Sequence, residues 1–339
     1  MLRALMIFGT VFAAAGGEAS RAWAVSESNF DLQYATQVLP WYASHGKTGE
    51  LVAFDGVKLS YRSFERADER GALVVLPGRT EPYAKYAEVV YDLREAGYSV
   101  YLLDHRGQGA SGRMTADREM GYVRKFADYV RDLELFMEKV VRARPHRKTY
   151  LLAHSMGAAI STLYAMAHPG HFDAAVFSSP MFQLQTGKYS EPMALAMSSA
   201  AVAAGQGKHY APGKGPYDPK EVFGDNNATH SEKRWGVSHD LMVLNPLFRM
   251  GGASMGWVKE SILADYRIRA RAADFHVPVL IYQAGQDQTV KLSGQAEFCA
   301  KAEKCSLHLF PEALHEVLQE KDAVRDVALT EALKFFDTH

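Results

Sequence analysis

The sequence predicts an α/β architecture: a mostly parallel sheet with helices on both faces and a helical cap inserted late in the chain. Three observations carry that prediction. Short apolar runs alternate with stretches of helical periodicity from Ala72 onward, the pattern of parallel strands joined by crossover helices. Tyr150 to Ala159 reads as strand, small-residue turn and helix, with Ser155 at the tip. About a hundred residues separate the strand ending at Ser179 from the one beginning at Pro278, where a crossover needs only about a dozen. The core is therefore assigned to 25–180 and 268–339, and the excess, 181–267, to the cap.

Ahead of the core, Arg3 precedes an apolar run from Ala4 to Ala15, then Gly16-Gly17 and the alternating small residues of Ala22-Trp23-Ala24. A basic start, a short apolar stretch and an A-x-A-like site make 1–24 a secretory signal peptide, cleaved after Ala24. The run falls short of the ~20 residues a spanning helix needs. The alternatives are an uncleaved membrane anchor or an amphipathic N-terminal helix. The two cysteines, Cys299 and Cys305, are too few for a disulfide framework, but an oxidising compartment would allow a bridge between them. A net charge of −1 offers no basic field for nucleic acid or anionic membrane.

In chain order, Phe30 to Trp41 reads as a short helix or arm. Leu51 to Tyr61 reads as a hairpin turning at Asp55-Gly56, since both turn positions tolerate positive φ. Ala72 to Leu76 is a continuous apolar run, as in a strand buried on both faces, and ends at Pro77-Gly78-Arg79-Thr80-Glu81. A helix with Tyr86, Val89, Val90 and Leu93 on one face stops at Gly97. The strand Tyr98 to Leu103 then enters the glycine-rich loop Asp104 to Gly112. Phe126, Val130, Leu133, Phe136 and Val140 form a helical stripe before the Ser155 strand, whose own helix ends near His168-Pro169-Gly170. Ala174 to Phe177, Pro278 to Tyr282 and Ser306 to Phe310 are the later strands. The last helix turns Val324, Val327, Ala328, Leu333 and Phe336 to the sheet.

Ala153-His154-Ser155-Met156-Gly157 is close to the nucleophile elbow, in which a strained turn exposes a serine hydroxyl above the sheet. A serine hydroxyl needs a base within hydrogen-bond reach, itself oriented by an acid. Asp287 follows the strand ending at Gln283-Ala284, and His315 follows the last strand; with Ser155 they make the candidate triad. The oxyanion donors are the N–H of Met156, at the start of its helix, and that of Arg79, after the strand ending at Leu76. The Arg79 side chain could meet an anionic substrate, or pair at the surface with Glu81. The loop Asp104 to Gly112 lacks a Lys-Ser/Thr partner and any G-x-G-x-x-G, so a structural role, with Asp104 and Arg106 fixing neighbouring loops, is preferred over phosphate binding. No Cys/His group has zinc spacing. In the cap, Met193, Leu195 and Met197 offer adaptable apolar walls for an acyl chain, with packing as the alternative, and Arg234 offers a cation for a head group.

Pro77-Gly78-Arg79 with Tyr83, Lys85 and Tyr86, Asp104 to Gly109 with Ser111, and His154 to Gly157 together resemble the lysophospholipase and monoacylglycerol lipase group of α/β-hydrolases. The bacterial lysophospholipases are the nearest part of that group, and cap stretches 227–234 and 251–257 share their pattern. The resemblance covers roughly Leu51 to Phe336. It implies cleavage of an acyl ester of a glycerol-based lipid, with no metal or nucleotide cofactor. It carries Ser155, Asp287 and His315 over as the triad and Arg79 and Met156 as oxyanion donors. Ala153 departs from the usual glycine, and Arg79 stands where monoacylglycerol lipases have a small residue, which favours a charged head group. A small lipid ester is the expected partner, with no nucleic acid and with room for peripheral membrane contact. Two other readings compete: an acyltransferase on the same scaffold, and an inactive binding module.

Overall fold

The computed structural model describes residues 25–339. The segment 1–24, read as a signal peptide, lies outside the described residues. The strands are β1 Lys47–Val52, β2 Lys58–Phe64, β3 Gly71–Leu76, β4 Tyr98–Leu103, β5 Thr149–His154, β6 Ala174–Ser178, β7 Val279–Ala284 and β8 Cys305–Phe310. They form one eight-stranded sheet in the order β1-β2-β4-β3-β5-β6-β7-β8. β2 pairs antiparallel with β1 and β4, and every other pair is parallel.

Helices cover both faces. They are α1 Phe30–Gln33, α2 Leu39–His45, α3 Ala87–Asp92, α4 Phe126–Lys139, α5 Ser155–Ala167, α6 Glu191–Ala203, α7 Glu232–Leu244, α8 Met255–Ala270, α9 Leu292–Cys299 and α10 Asp322–Thr338. Successive strand residues point to opposite faces, so the continuous apolar run of β3 feeds two cores. Val74 and Leu76 join a cluster with Phe136 of α4, Ile160 of α5 and Ile268 of α8. Leu73 and Val75 join one with Val90 of α3, Leu329 of α10 and Phe30 of the N-terminal arm. That alternation is why the central strands read as unbroken apolar runs.

Three local features differ from the sequence reading. Val52 faces Lys58, so the first hairpin turns through a longer loop, 53–57, although Gly56 does take a positive φ of 84°. The N-terminal arm is helical but passes through a π turn at Tyr34–Val38; Pro40, just beyond it, has no N–H to close an α-type bond to Thr36. In α10, Val327 is exposed, whereas Arg325, Leu329 and Ala332 are buried.

The cap lies between β6 and β7 and holds α6, α7 and α8. Each starts at a serine whose hydroxyl accepts from the N–H three residues on: Ser190 from Met193, Ser231 from Arg234 and Ser254 from Trp257. Such caps satisfy one of the orphan N–H groups of the first turn. α6 packs along α8, and Trp257, Ile262 and Ile268 of α8 join the core, so α8 belongs to both layers. Cys299 and Cys305 are joined in a disulfide between the end of α9 and the start of β8.

Candidate active site

The site is built at the C-terminal ends of β3, β5, β7 and β8, where open parallel sheets bind ligands. Between β5 and α5 the chain turns at Ser155 with φ of +48°, a left-handed conformation costly for a residue with a Cβ. The turn holds because its neighbours are locked. His154 is still in register with Ser178 of β6, and Gly157 lies so close to β3 that a Cβ there would stand 2.5 Å from the Leu76 and Pro77 carbonyl oxygens. Ala153, at the usual glycine position, is buried in β5 opposite Leu76 and Phe177. A methyl fits there.

The loops after β7 and β8 bring the other two groups to the serine. His315 Nε2 lies 3.0 Å from Ser155 Oγ, and its Nδ1 lies 2.7 Å from Asp287 Oδ2. The other carboxylate oxygen of Asp287 accepts the N–H groups of Thr289 at 2.7 Å and Val290 at 2.9 Å. Burial works to raise the Asp287 pKa, but the bond and charge of His315 and those two N–H groups hold it below the ordinary value. An ionised Asp287 takes the Nδ1 proton as a hydrogen bond and leaves Nε2 free to accept from the serine.

On the opposite side of Ser155, the loop after β3 is packed tightly enough that a Cβ on Gly78 would stand 3.2 Å from Ser155 Cβ. The Gly78 N–H is taken by Glu81 Oε2 at 2.6 Å, so the next N–H, that of Arg79, is the one this loop can turn to a substrate. Met156 lies in the first turn of α5, where N–H groups lack helical partners. The 104–112 loop braces this arrangement from below. Gln108 Nε2 donates to the Gly78 and Glu81 carbonyls, His105 Nε2 to that of Pro77, and Asp104 accepts from Tyr83 and Ala110 N–H. Arg106 is buried in pairs with Asp132 and Asp55.

Sequence reasoning missed a second buried network. Lys85 Nζ donates to Glu81 at 2.6 Å and to Glu316 at 2.5 Å. It thereby ties the loop after β3 to the residue after His315. The Glu316 N–H in turn donates to the Ala228 carbonyl of the cap. The available signal was the i, i+4 spacing of Glu81 and Lys85; nothing in the sequence placed Glu316 beside them. Burial would lower the Lys85 pKa, but Glu316 and Glu81 raise it on balance. Among the described residues, Glu81, His154 and Glu316 are the one group of three or more histidines, cysteines and acids whose ligand atoms all come within 4.8 Å of one another. Lys85 already supplies the positive charge there. His154, whose ring lies 4.7 Å from that of His315, is pushed down to about 4 by burial and stays neutral, so it adds no charge beside the base.

Two sequence expectations are corrected. Arg234 is not available to a head group: it is 1% exposed, its guanidinium holding Glu88, Asp322 and the Glu320 carbonyl, so it seats α7 on the core. Arg79 makes no surface pair with Glu81, which Lys85 occupies; its Nη2 donates instead to the Gly251 carbonyl of the cap. On α6, Met193 is 53% exposed and Met197 half-buried, while Leu195 packs against the core.

A strained serine, an acid and a base at the ends of β5, β7 and β8 of a capped, mostly parallel sheet define a serine hydrolase of the α/β-hydrolase fold. The family described as "Serine aminopeptidase, S33" matches residues 67–322, and the chain belongs to it. It is 37% identical over 298 residues to Lysophospholipase L2 of Escherichia coli, covering 86% of this chain and 87% of that one. It is 26% identical over 270 residues to a monoacylglycerol lipase of Mycolicibacterium smegmatis, covering 79% and 89%. Among solved structures, a monoglyceride lipase from Saccharomyces cerevisiae in complex with a substrate analogue has the same fold, with a TM-score of 0.66 at 19% identity over 87% of this chain and 96% of that one.

Proposed function

We propose that this chain hydrolyses the single acyl ester of a glycerol-based lipid, a lysophospholipid or a monoacylglycerol, through an acyl-enzyme on Ser155. The observation that carries the reading is the hydrogen-bonded line Ser155–His315–Asp287, with the serine in a left-handed turn. His315 Nε2 takes the serine proton as Oγ attacks the ester carbonyl. The developing oxyanion meets the N–H groups of Arg79 and Met156, each donor worth about 3 kcal/mol of barrier. His315 then gives its proton to the leaving glycerol oxygen. In the second half it activates a water that releases the fatty acid and restores Ser155. Asp287 stabilises the imidazolium in both halves. No step requires a metal or nucleotide.

The names of the relatives, lysophospholipase and monoacylglycerol lipase, support the substrate class. In the cap, Met193 and Met197 of α6 are assigned to the acyl chain, since a flexible thioether adapts to one. Exposed Val222, Leu244 and Leu247 support peripheral contact of the cap with a lipid surface. The Cys299–Cys305 disulfide supports export to an oxidising compartment. No helix among the described residues is long and apolar enough to cross a membrane.

Product analysis of the purified protein on lysophospholipids, monoacylglycerols and short p-nitrophenyl esters tests the reaction, with fluorophosphonate labelling at Ser155 as the check on the nucleophile. Release of fatty acid and glycerol or glycerophosphodiester is expected; a protein that neither labels nor releases fatty acid is a binding module. Met197→Glu is expected to penalise long-chain esters more than acetates, and equal loss at all chain lengths makes Met197 a packing residue. N-terminal sequencing of natively expressed protein tests export by a start near Val25.

A further inference from the structure

We propose that the guanidinium of Arg79 binds the phosphate of a monoacyl glycerophospholipid, so that one residue grips the substrate twice, by its N–H at the ester carbonyl and by its side chain at the head group. The inference rests on the ester-hydrolase reading and sharpens it.

Arg79 follows Gly78, which packs against Ser155, and its side chain runs beneath the cap. Nη2 donates to the Gly251 carbonyl at 2.6 Å, the guanidinium carbon lies 5.0 Å from the centre of the Trp257 ring, and Nε is buried without a hydrogen-bond partner. An arginine carries five donors in a fixed fork. Arg79 uses one of them on a described acceptor, whereas Arg113, in the neighbouring loop, reaches the carbonyl oxygens of Gly109, Ser111, Arg118 and Leu247.

The contrast with the buried cations is sharper. Arg106 has Asp55 and Asp132, Arg269 has Glu191, Arg325 has Asp92, and Lys85 has Glu81 and Glu316. No carboxylate among the described residues lies within ion-pairing distance of Arg79. Its ionisable neighbours are Tyr129 and Tyr210. Burial lowers its pKa to about 10, so the group is still a cation at neutral pH.

A charge taken out of water without a counter-ion is costly, and the cost is relieved when an anion arrives. The planar fork suits phosphate, which accepts two parallel N–H bonds. In a monoacyl glycerophospholipid the phosphate lies one glycerol away from the ester. In Arg79 the guanidinium lies one side chain away from the N–H that meets that ester's carbonyl oxygen. A monoacylglycerol would leave the guanidinium unanswered.

The test compares 1-acylglycerol phosphate and monoacylglycerol of the same short chain as substrates of Arg79→Met and Arg79→Lys, with melting curves on both variants. Both retain the Arg79 N–H. Arg79→Met is expected to lower kcat/KM for the phosphate-bearing ester roughly 10- to 100-fold more than for the neutral one, the range for a lost charge-assisted hydrogen bond. Arg79→Lys is expected to recover part of the difference. Equal losses on the two esters in Arg79→Met overturn the proposal and make the side chain a strut between loop and cap. A readout on the unaltered protein needs no variant to fold: glycerol 3-phosphate is expected to slow fluorophosphonate labelling of Ser155 at concentrations where glycerol has no effect, and equal effects overturn it. If the unaltered protein cleaves neither ester, the ester-hydrolase reading falls as well; if it cleaves both and the losses match, only the phosphate assignment falls.

Discussion

Arg79 and Arg234 cross the boundary between core and cap in opposite directions, and their surroundings differ accordingly. Arg234 belongs to the cap and reaches into the core, where Glu88 and Asp322 pair with it. Arg79 belongs to a core loop and reaches toward the cap, where it meets one carbonyl oxygen and an indole face but no acid. The first arrangement is closed and holds two layers together. The second has no counter-ion of its own among the described residues, and its backbone follows Gly78, which packs against Ser155. Burial alone therefore does not separate a seating charge from a reading charge. What separates them is whether the protein itself supplies the counter-ion.

The largest effects should come from the line of residues that the comparison takes as the seat of the chemistry. Ser155→Ala and His315→Ala are each expected to lower kcat by several orders of magnitude, and Asp287→Asn by about 10⁴ because the imidazole loses its orienting acid. Melting temperatures should stay near that of the unaltered protein. Steady-state assays on purified, folded variants check this. A Ser155→Ala protein with more than about a tenth of the activity would remove the triad.

Arg234→Met probes the closed arrangement. It leaves Glu88 buried beside one cation fewer, although Arg325 lies 3.4 Å from the same carboxylate. Breaking a buried pair in this way typically costs about 3–5 kcal/mol. The expected result is a large loss in urea-unfolding stability, with the ratio of activities on charged and neutral esters unchanged. A selective loss on charged esters at full stability would reverse the roles given to the two arginines.

Lys85→Met probes the tie between the loops after β3 and β8. Glu81 and Glu316 would face each other without the ammonium that joins them. Displacement of the Gly78–Arg79 loop and of His315 is expected to lower kcat by roughly 10²-fold, the order seen for small misplacements of catalytic groups, with a smaller change in KM. Lys85→Arg should recover part of the rate. A KM effect alone would make Lys85 a cap contact and leave catalytic positioning to other groups.

These contrasts also show what could be read from the chain. The ends of β5, β7 and β8 were legible because strand ends are marked by apolar runs and their loops are short, so Ser155, Asp287 and His315 were placed by chain order and strand position. The pairing of charges was not. Glu81 lies two residues from Arg79 and four from Lys85, and sequence distance favoured the wrong partner. Arg234 and Glu88 are far apart in the chain, and only the docking of α7 brings them together. The amphipathic pattern of α10 was clear, yet it hid Arg325, because a buried arginine with acidic partners interrupts an apolar stripe without marking the helix face. The first hairpin shows the same limit at short range: Asp55-Gly56 marked the turn, but Asp55 also pairs with Arg106 and sits in a longer loop.

The smallest expected effect concerns an uncharged member of the core side, His105, and is read as a pH dependence. Its ring is fully buried beneath the loop after β3, Nε2 donates to the Pro77 carbonyl at 3.1 Å, and Nδ1 has no partner. Burial pushes its pKa down from 6.5 to about 4. In the unfolded chain the same imidazole takes a proton as the pH falls through 6.5, while in the folded protein it stays neutral until about pH 4. Its contribution to stability is therefore full above pH 6.5 and declines as the pH falls toward 4. His105→Gln keeps a donor for Pro77 and removes the titration. The stability advantage of the unaltered protein over this variant should thus shrink by about 2 kcal/mol between pH 8 and pH 5. Urea unfolding of both proteins at the two pH values measures it, and the opposing titration of nearby Asp104, which burial raises to about 7, is common to both and cancels in the difference. An unchanged gap would mean that the ring takes a proton in the folded state at its ordinary pH. The loop beneath Pro77 would then hold a cation in the folded protein.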